Sequence, residues 1–236
     1  MTDISAPNLD LPRHIGFIMD GNRRWGKKHG LKNAITGTAE GVETLARITE
    51  ETAKMGIGHI TVFAFSHENW KRSQEEVDYL MGLFAKAVTK FAQRVKESGI
   101  RVKFVGRTSD FSDEVQETIR RAEESTKECK IATLNIAASY GGRAEIVDAT
   151  KKIIESGLDT DLITEEIFSN YIYEHGQPDL DLIVRTGGTP RLSGFMLWQS
   201  SYSEIYFTDV LWPDFDKKEL DKALKYYAKI KRNFGK

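Results

Sequence analysis

Short apolar runs alternate along the chain with longer segments in which apolar residues recur every three or four positions. The runs are rich in β-branched and aromatic residues, and they predict buried strands at 15–19, 60–65, 101–105, 131–138 and 180–184. The three- and four-residue spacing predicts helices over about 41–55, 73–98, 114–127, 143–156 and 164–174. Strand and helix alternate without an internal repeat or a Ser/Pro-rich linker. The pattern therefore predicts one α/β domain with a mainly parallel sheet.

The helix predicted over 73–98 carries the most pronounced apolar stripe. Ser73 with Glu76 three residues later predicts a capping box at its start. The stripe consists of Val77, Leu80, Met81, Phe84, Val88, Phe91 and Val95. Such a stripe is ordinarily core packing. Its width leaves a second interpretation open, in which it lines a channel for a long hydrocarbon.

Four of the predicted strands end in polar, Gly-rich or Arg-bearing segments. In a parallel sheet the carboxyl ends of the strands lie along one edge, so these segments are expected to converge there. In the first of them, Asp20 follows the strand directly, Gly21 and Asn22 permit a tight turn, and Arg23 and Arg24 come next. One acid beside several bases suits Mg²⁺ and a diphosphate. A solvated basic turn is the alternative for this segment on its own.

The segment after the fifth strand is a second candidate anion site. Arg185, Arg191 and Ser193 bracket Gly187 and Gly188, so two guanidiniums and a hydroxyl could grip a diphosphate while the glycines let backbone amides approach. A surface loop with incidental charges is the alternative. The sequence contains neither a P-loop nor the dinucleotide-binding Gly-x-Gly-x-x-Gly. Ser66-His67 lacks the Gly-x-Ser-x-Gly elbow of a serine hydrolase.

Composition and charge narrow the function further. The chain has 236 residues with 34 basic and 35 acidic side chains, so its net charge of −1 gives no global case for nucleic-acid binding. Its single cysteine, Cys129, excludes an intramolecular disulfide and fits a reducing cytoplasm. The polar start lacks a signal-peptide core, and no apolar run approaches the roughly 20 residues of a membrane span. We expect a cytoplasmic protein that would meet a lipid substrate from the aqueous side, at the inner face of the membrane.

Five segments, in order, closely resemble the cis-prenyltransferases, and among these the bacterial undecaprenyl diphosphate synthases. They are Met-Asp-Gly-Asn-Arg-Arg-Trp at 19–25, Phe-Ser-His-Glu-Asn-Trp-Lys-Arg at 65–72, Asn-Ile-Ala-Ala-Ser-Tyr-Gly-Gly-Arg at 135–143, Arg-Thr-Gly-Gly at 185–188 with Arg-Leu-Ser at 191–193, and Tyr-Phe-Thr-Asp-Val-Leu-Trp-Pro-Asp-Phe at 206–215. The resemblance runs from about Pro12 to Gly235. We therefore expect a flexible segment over 1–12 and a cis-prenyltransferase domain over 13–236.

The resemblance implies an enzyme, its substrates and its assembly. Members of the family add isopentenyl diphosphate to an allylic diphosphate such as farnesyl diphosphate, with Mg²⁺ and Z stereochemistry. The implied fold is a six-stranded, mostly parallel sheet beside a hydrophobic tunnel, in a homodimer. The expected product is a long polyprenyl diphosphate, of the undecaprenyl type, that serves as a cell-wall lipid carrier and is delivered to the membrane. The alternatives are a short-chain or irregular Z-prenyl diphosphate synthase, and a non-catalytic partner subunit that binds lipid diphosphate.

The site residues also come from the resemblance. Asp20 matches the essential metal-binding aspartate, Glu204 a second metal carboxylate, and Asn69 the asparagine assigned to proton removal. Because an amide is a poor base, the proton acceptor itself stays open, and the leaving diphosphate is one candidate. The implied substrate-binding residues are Gly21, Asn22, Arg23, Arg24, Trp25, Ser66, His67, Glu68, Trp70, Arg72, Arg185, Arg191, Leu192 and Ser193. The first five match the loop that holds the allylic diphosphate, the next five match a second substrate loop, and Arg185, Arg191 and Ser193 match the grip on isopentenyl diphosphate.

The chain departs from the family pattern at a few positions, and one small residue bears on product length. The usual arginine and Gly-His are missing around 32–38, Thr189-Pro190 stands where Glu is frequent, Gly194 replaces a common asparagine, and the basic tail is reduced to 231–234. The altered Gly37-Thr38 loop motivates the alternative of a short-chain or irregular synthase. Ala64 lies two positions before Ser66 and is expected on the same face of its strand, behind the diphosphates. Small residues near this position accompany long products in the family. The alternative is that an alanine simply fits under a helix there.

Overall fold

The computed structural model describes residues 10–31, 37–173 and 175–232, and every structural statement below concerns those residues. The strands are β1 His14–Ile18, β2 His59–Ser66, β3 Ile100–Val105, β4 Ala132–Tyr140, β5 Leu182–Arg185 and β6 Glu204–Phe207. The helices are α1 Asn22–Lys28, α2 Gly37–Lys54, α3 Gln74–Glu97, α4 Asp113–Thr126, α5 Gly142–Glu155, α6 Glu165–Ser169 and α7 Lys217–Lys229.

The strands form one six-stranded sheet in the order β3-β4-β2-β1-β5-β6. Every neighbouring pair is parallel, which confirms the predicted α/β class. β1 lies between β2 and β5: the strands that follow it directly, β2 to β4, lie on one side of it, and the last two, β5 and β6, lie on the other. The crevice at the carboxyl end of β1 is therefore a topological switch point, where parallel sheets commonly bind ligands.

The largest hydrophobic core fills one face of the sheet. Alternate residues of the central strands, such as Ile15, Phe17 and Val62, point into it, and they are at most 1% exposed. Apolar faces of α2, α3 and α7 cover this side. A smaller core on the other face includes Phe195 and Met196, so it holds the segment that follows β5. The two cores thereby fix the segments that leave β1 and β5.

β2 contains an irregularity that the sequence pattern did not reveal. Its register against β4 shifts on either side of Phe65, and Ala64 has no partner in the ladder. β4 also continues to Tyr140, two residues beyond the predicted end at Ala138. Tyr140 is fully buried against Phe63, and its hydroxyl donates to Glu145 over 2.5 Å, which holds the last residues of β4 in the sheet.

Two further sequence predictions are corrected. The helix that Thr164 caps ends at Ser169 and not near 174, because the chain then turns to place the amide of Tyr173 on the buried Glu145 carboxylate, 3.0 Å away. Ser73 does cap α3, accepting from the Glu76 amide over 3.4 Å. The Glu76 carboxylate, which the capping box would have directed back to Ser73, instead accepts from Arg23 and Arg72.

Some of the expectations fall partly or wholly outside the described residues. The predicted flexible segment 1–12 lies outside them up to residue 9, whereas Leu11 packs against the main core and Pro12 is buried. Of the altered stretch 32–38, only residues 37 and 38 are described, and of the tail 231–234 only the first two. Within the described ranges, no helix has the length and apolar character that crossing a membrane requires.

Candidate active site at the carboxyl ends of β1, β2 and β5

Asp20 occupies the centre of the crevice, two residues beyond the end of β1. One carboxylate oxygen accepts from Arg24 over 3.1 Å, and the other accepts from Arg185 over 3.0 Å. Gly21 follows with φ of +111°, and a Cβ there would lie 2.8 Å from the Leu211 side chain. A side chain at 21 would therefore disturb both the backbone turn and its packing. The turn brings Arg24, four residues on, back over Asp20.

Arg185 joins Asp20 to the loop after β5. Its side chain is 5% exposed, and one guanidinium nitrogen donates to the Ser193 hydroxyl over 2.8 Å and to the Arg191 carbonyl. Its Nε is buried and makes no hydrogen bond among the described residues. A buried donor of this kind is costly unless a ligand satisfies it. The Nε group can thus donate a hydrogen bond to a ligand oxygen.

A polar cavity of about 450 Å³ opens around Asp20. Ten of the predicted catalytic and binding residues line it: Asp20, Gly21, Asn22, Arg23, Arg24, Ser66, Asn69, Arg72, Arg185 and Ser193. Four arginines beside one carboxylate make the lining electropositive overall. Such a lining suits a ligand with several negative oxygens, such as a diphosphate.

An apolar cavity of about 130 Å³ continues from the polar one into the space between the sheet, α2 and α3. The two cavities share part of their lining, including Ala64, Phe63 and Leu80. Most of the α3 stripe faces this space: Leu80, Met81, Phe84, Val88 and Phe91. Val77 and Val95 are buried but do not line it. The stripe therefore serves both as core and as cavity wall.

Six of the predicted binding residues lie outside the polar cavity's lining. The Trp25 indole donates to Asp214 over 2.7 Å and stacks on His29. His67, Glu68 and Trp70 belong to a short 3₁₀ helix, His67–Lys71, whose Asn69 alone lines the cavity. Arg191 is exposed and does not line it either.

Leu192 and Glu204 also lie outside that lining. Leu192 packs against the smaller core. Glu204 begins β6 opposite Leu182, which pairs with Ile15 of β1. Asp20 lies five residues beyond Ile15, about 16 Å at the rise of a strand. Within one chain, Glu204 and Asp20 are therefore at opposite ends of the sheet, and the structure does not bring them together.

Glu76, which the sequence predicts only as part of the capping box of α3, is also a residue of the site. Its carboxylate, 12% exposed, accepts from Arg72 over 2.8 Å and from Arg23 over 3.2 Å. It thereby links the basic groups of two different loops at the start of α3. The i, i+4 spacing from Arg72 is visible in the sequence, but the approach of Arg23 depends on the fold.

A buried carboxylate stabilises the far side of the β5 loop. Glu145 is fully buried and accepts from Tyr140, from the Tyr173 amide and from Gln199. Burial raises the pKa of its carboxyl above the ordinary value, and these hydrogen bonds act in the opposite direction. Because Gln199 follows the 191–193 segment closely, this network fixes the loop that carries Ser193.

Comparison with known proteins gives a consistent result over nearly the whole chain. A family model described as "Putative undecaprenyl diphosphate synthase" matches residues 18–235. A protein of Fusobacterium nucleatum named isoprenyl transferase is 48% identical over 226 residues, which cover 96% of this chain and 96% of that protein. An isoprenyl transferase of Neisseria meningitidis is 44% identical and is covered to 90% of its length.

Two solved structures are similar to this fold. Lavandulyl diphosphate synthase from Lavandula x intermedia, in complex with dimethylallyl diphosphate, has a TM-score of 0.90 and 33% identity, over 96% of this chain and 99% of that one. A probable undecaprenyl diphosphate synthase from Campylobacter jejuni has a TM-score of 0.81 and 34% identity, with the same coverage.

Proposed function

Because the chain belongs to the undecaprenyl diphosphate synthase family of prenyltransferases, we propose that it repeatedly transfers an allylic prenyl group onto isopentenyl diphosphate with Z stereochemistry. The product would be a long polyprenyl diphosphate, of the undecaprenyl type, for a cell-wall lipid carrier. One observation supports this most strongly: a basic cavity around Asp20 opens into an apolar cavity and shares Ala64 with it. A diphosphate attached to a hydrocarbon chain matches that pairing of environments.

The proposed reaction separates charge at the junction of the two cavities. Departure of the allylic diphosphate leaves negative charge on oxygen and positive charge on carbon. Arg24 and Arg72 would stabilise the oxygens, because preorganised cations act most strongly where charge develops. The apolar walls would exclude water and so protect the cationic carbon from hydrolysis. The new bond forms to isopentenyl diphosphate, which then loses a proton.

The residues around Asp20 fit a magnesium ion. Mg²⁺ prefers oxygen ligands and is usually held by one or two carboxylates together with substrate phosphates. Asp20 supplies the carboxylate, on the wall of the polar cavity. We assign Asp20 to the metal, and Glu204 is the second carboxylate that the resemblance implies, although within one chain the sheet register places it far from Asp20. When bound, Mg²⁺ would neutralise diphosphate charge.

Asn69 is the proposed residue for positioning the proton acceptor. Its Oδ1 accepts from the Ser66 amide over 3.1 Å, which orients the side chain at the cavity wall. With Oδ1 engaged, the Nδ2 group is the part that could donate to a substrate oxygen. Asn69 would therefore hold a diphosphate oxygen near the departing proton.

The test is product sizing with purified protein. Incubation with Mg²⁺, farnesyl diphosphate and labelled isopentenyl diphosphate should give a ladder that extends well beyond two additions. A short or branched product would support the alternative of a short-chain or irregular synthase, to which the likeness to lavandulyl diphosphate synthase draws attention. Absence of any labelled prenyl product, with either farnesyl or dimethylallyl diphosphate, would contradict the proposed reaction.

We also propose that the enzyme is a cytoplasmic homodimer that releases its product to the membrane. Val147 and Ile154, two turns apart on the same face of α5, are 49% and 73% exposed. Apolar side chains exposed along one helix face are typical of a contact between proteins. Sedimentation equilibrium would measure the dimer, and vesicle flotation the membrane contact. A monomer at micromolar concentration would contradict the assembly.

A further inference from the structure

A chain of polar contacts lies behind the 3₁₀ helix that carries Asn69. The Trp70 indole N–H donates to the Ser139 hydroxyl over 2.9 Å, and that hydroxyl donates to Asp110 Oδ2 over 2.6 Å. The same Asp110 oxygen lies 3.9 Å from His67 Nδ1. Three separate parts of the chain meet here: the 67–71 helix, the end of β4 and the segment after β3. We call this set of contacts the Trp70 latch.

Ser139 is built into a fixed position. It is 1% exposed, and its φ of +47° lies in the left-handed region that non-glycine residues rarely adopt. Its carbonyl accepts from the Arg107 amide over 3.2 Å. Gly106 comes so close that an added Cβ would lie 2.2 Å from the Ala138 carbonyl oxygen. The end of β4 and the segment that carries Asp110 are thus in close backbone contact.

The Trp70 ring is held as firmly as its N–H group. Its centroid lies 5.1 Å from that of Phe65 in an edge-to-face arrangement and 5.5 Å from that of Phe111. Aromatic pairs at these separations stabilise beyond their buried area. Trp70 does not line the polar cavity, whereas Asn69 before it and Arg72 after it do. Trp70 is therefore placed to anchor the segment that presents those two residues.

We propose that Ser139 and Asp110 are positioning residues for the reaction: they fix Trp70, and through it the placement of Asn69 and Arg72 in the polar cavity. The inference rests on the proposed function of that cavity as a diphosphate site. Asp110 acts by accepting the hydrogen bond that the Ser139 hydroxyl donates, which turns the hydroxyl lone pairs toward the indole. Neither residue needs to touch substrate.

The first test observes the latch without any substrate. The ¹H–¹⁵N signal of the Trp70 indole, assigned by its loss in Trp70→Phe, should move in Ser139→Ala and in Asp110→Ala. Asp110→Asn keeps an acceptor oxygen for the Ser139 hydroxyl, so its signal should stay close to that of the native protein. An indole signal unchanged in Ser139→Ala would overturn the latch. Thermal unfolding and circular dichroism check that each variant is folded.

The second test measures whether the latch acts through the 67–71 segment. Small misplacements of catalytic groups can cost on the order of a hundredfold in rate, so Ser139→Ala should lower kcat about ten- to hundredfold. Binding of the allylic diphosphate should weaken less than kcat falls, because Arg24 lies outside the latch and only Arg72 of the proposed allylic diphosphate contacts is positioned by it. In a background that carries both Asn69→Ala and Arg72→Ala, Ser139→Ala should cost little more, because the latch acts through these two residues. Additive losses would contradict the inference.

Matched variants separate the hydroxyl from the backbone and the latch from the reaction. Ser139→Gly adopts the left-handed conformation freely but has no hydroxyl, so it should be as impaired as Ser139→Ala. Native activity in Ser139→Gly would overturn the role of the hydroxyl. A different result is that Asn69→Ala keeps native turnover while the indole signals move as expected. That result would contradict the role of Asn69 in the proposed function, and the latch would then act through Arg72 alone.

Discussion

The Asp20 carboxylate accepts hydrogen bonds from two guanidiniums, and these contacts predict the effect of removing its side chain. Without it, Arg24 and Arg185 lose their shared counter-ion, and the metal loses the one carboxylate that the described residues place in the polar cavity's lining. Asp20→Ala should lower turnover by several orders of magnitude while the protein stays folded, since the side chain is 31% exposed and not part of a core. Steady-state turnover and circular dichroism measure both. Substantial Mg²⁺-dependent activity in the folded variant would remove Asp20 from the mechanism.

Arg185 and Arg191 carry the same charge but lie in different surroundings, so their replacement by alanine should reduce activity by different amounts. Arg185 is almost fully buried on Asp20 and Ser193, so Arg185→Ala should cost about 2–5 kcal/mol in kcat/KM for isopentenyl diphosphate. Arg191 is exposed, where a charge contact is typically worth at most about 1 kcal/mol. Arg24→Ala is the matched control, and should mainly weaken the allylic diphosphate. Equal losses at 185 and 191 would contradict the burial argument.

At the scale of single residues, the sequence predicts contacts between residues that are close along the chain, and it misses contacts between distant segments that the fold brings together. Asp20 and Arg24 are four residues apart, so a turn after β1 suffices to pair them. Trp70 reaches Ser139 across 69 residues, and Ser139 reaches Asp110 across 29. No pattern within the 65–72 segment separates an anchoring indole from a substrate-binding one. Glu204 is similar: its place in a strand follows from alternation, but its distance from Asp20 follows from the register of β5 against β1.

At the scale of elements, the β2 bulge is a feature that the alternation of apolar and polar residues does not predict. The period-two argument put Ala64 and Ser66 on one face, and both do line the polar cavity. They do so across a register shift, however, with Ala64 out of the ladder. Five of the six strands, the parallel sheet and the helices α2 to α5 could be predicted because apolar periodicity sets them. The end of β4 and the short α6 depend on contacts of Tyr140 and Tyr173 with Glu145, and no sequence pattern marks the bulge.

A buried network across the strands predicts a pH effect on stability. His14 of β1 donates from Nδ1 to the Pro178 carbonyl over 2.7 Å, so Nε2 accepts from Thr61 of β2 over 2.8 Å. Burial, the largest cause, lowers the pKa of His14 from 6.5 to about 4. The unfolded chain therefore binds more protons than the folded one between these values. The contribution of His14 to the free energy of unfolding should be fully present above pH 6.5. It should be lost, by about 3 kcal/mol, as the pH is lowered toward 4.

Denaturant unfolding at a series of pH values, compared with His14→Gln, measures this effect. Burial raises the pKa of Glu145 and of Asp179, and those groups change stability in the opposite direction in the same range. The difference between native and variant slopes isolates the histidine, because both proteins retain the two carboxyls. The native protein should lose up to about 1.4 kcal/mol per pH unit more than the variant in this window. Parallel slopes would show that His14 is not the group responsible.

At the scale of the whole molecule, the cavities lie in a row from the diphosphate end to the outer surface of α2 and α3. The polar cavity shares Ala64 with the apolar one, and the apolar one shares Ala87, Leu83 and Val42 with a third of about 200 Å³. Arg94 of α3, which is paired with Glu50 of α2, also lines this outermost cavity. A growing hydrocarbon would thus pass Ala64 first and Ala87 later, leaving between the two helices.

This order predicts a graded effect on product length, which is the sharpest test of the path. Ala64→Leu should stop elongation early, and Ala87→Leu should stop it later, because each fills the row at a different depth. Ala85→Leu is the control, since Ala85 packs in another cluster of α3 and lines none of these cavities. Overpacking can cost about 1–3 kcal/mol of stability in all three, so unfolding is measured alongside. Product sizing should rank the mean lengths as Ala64→Leu, then Ala87→Leu, then Ala85→Leu equal to native. A folded Ala64→Leu enzyme with the native product ladder, or a ranking in which Ala87→Leu gives the shorter product, would mean that the chain grows along another route.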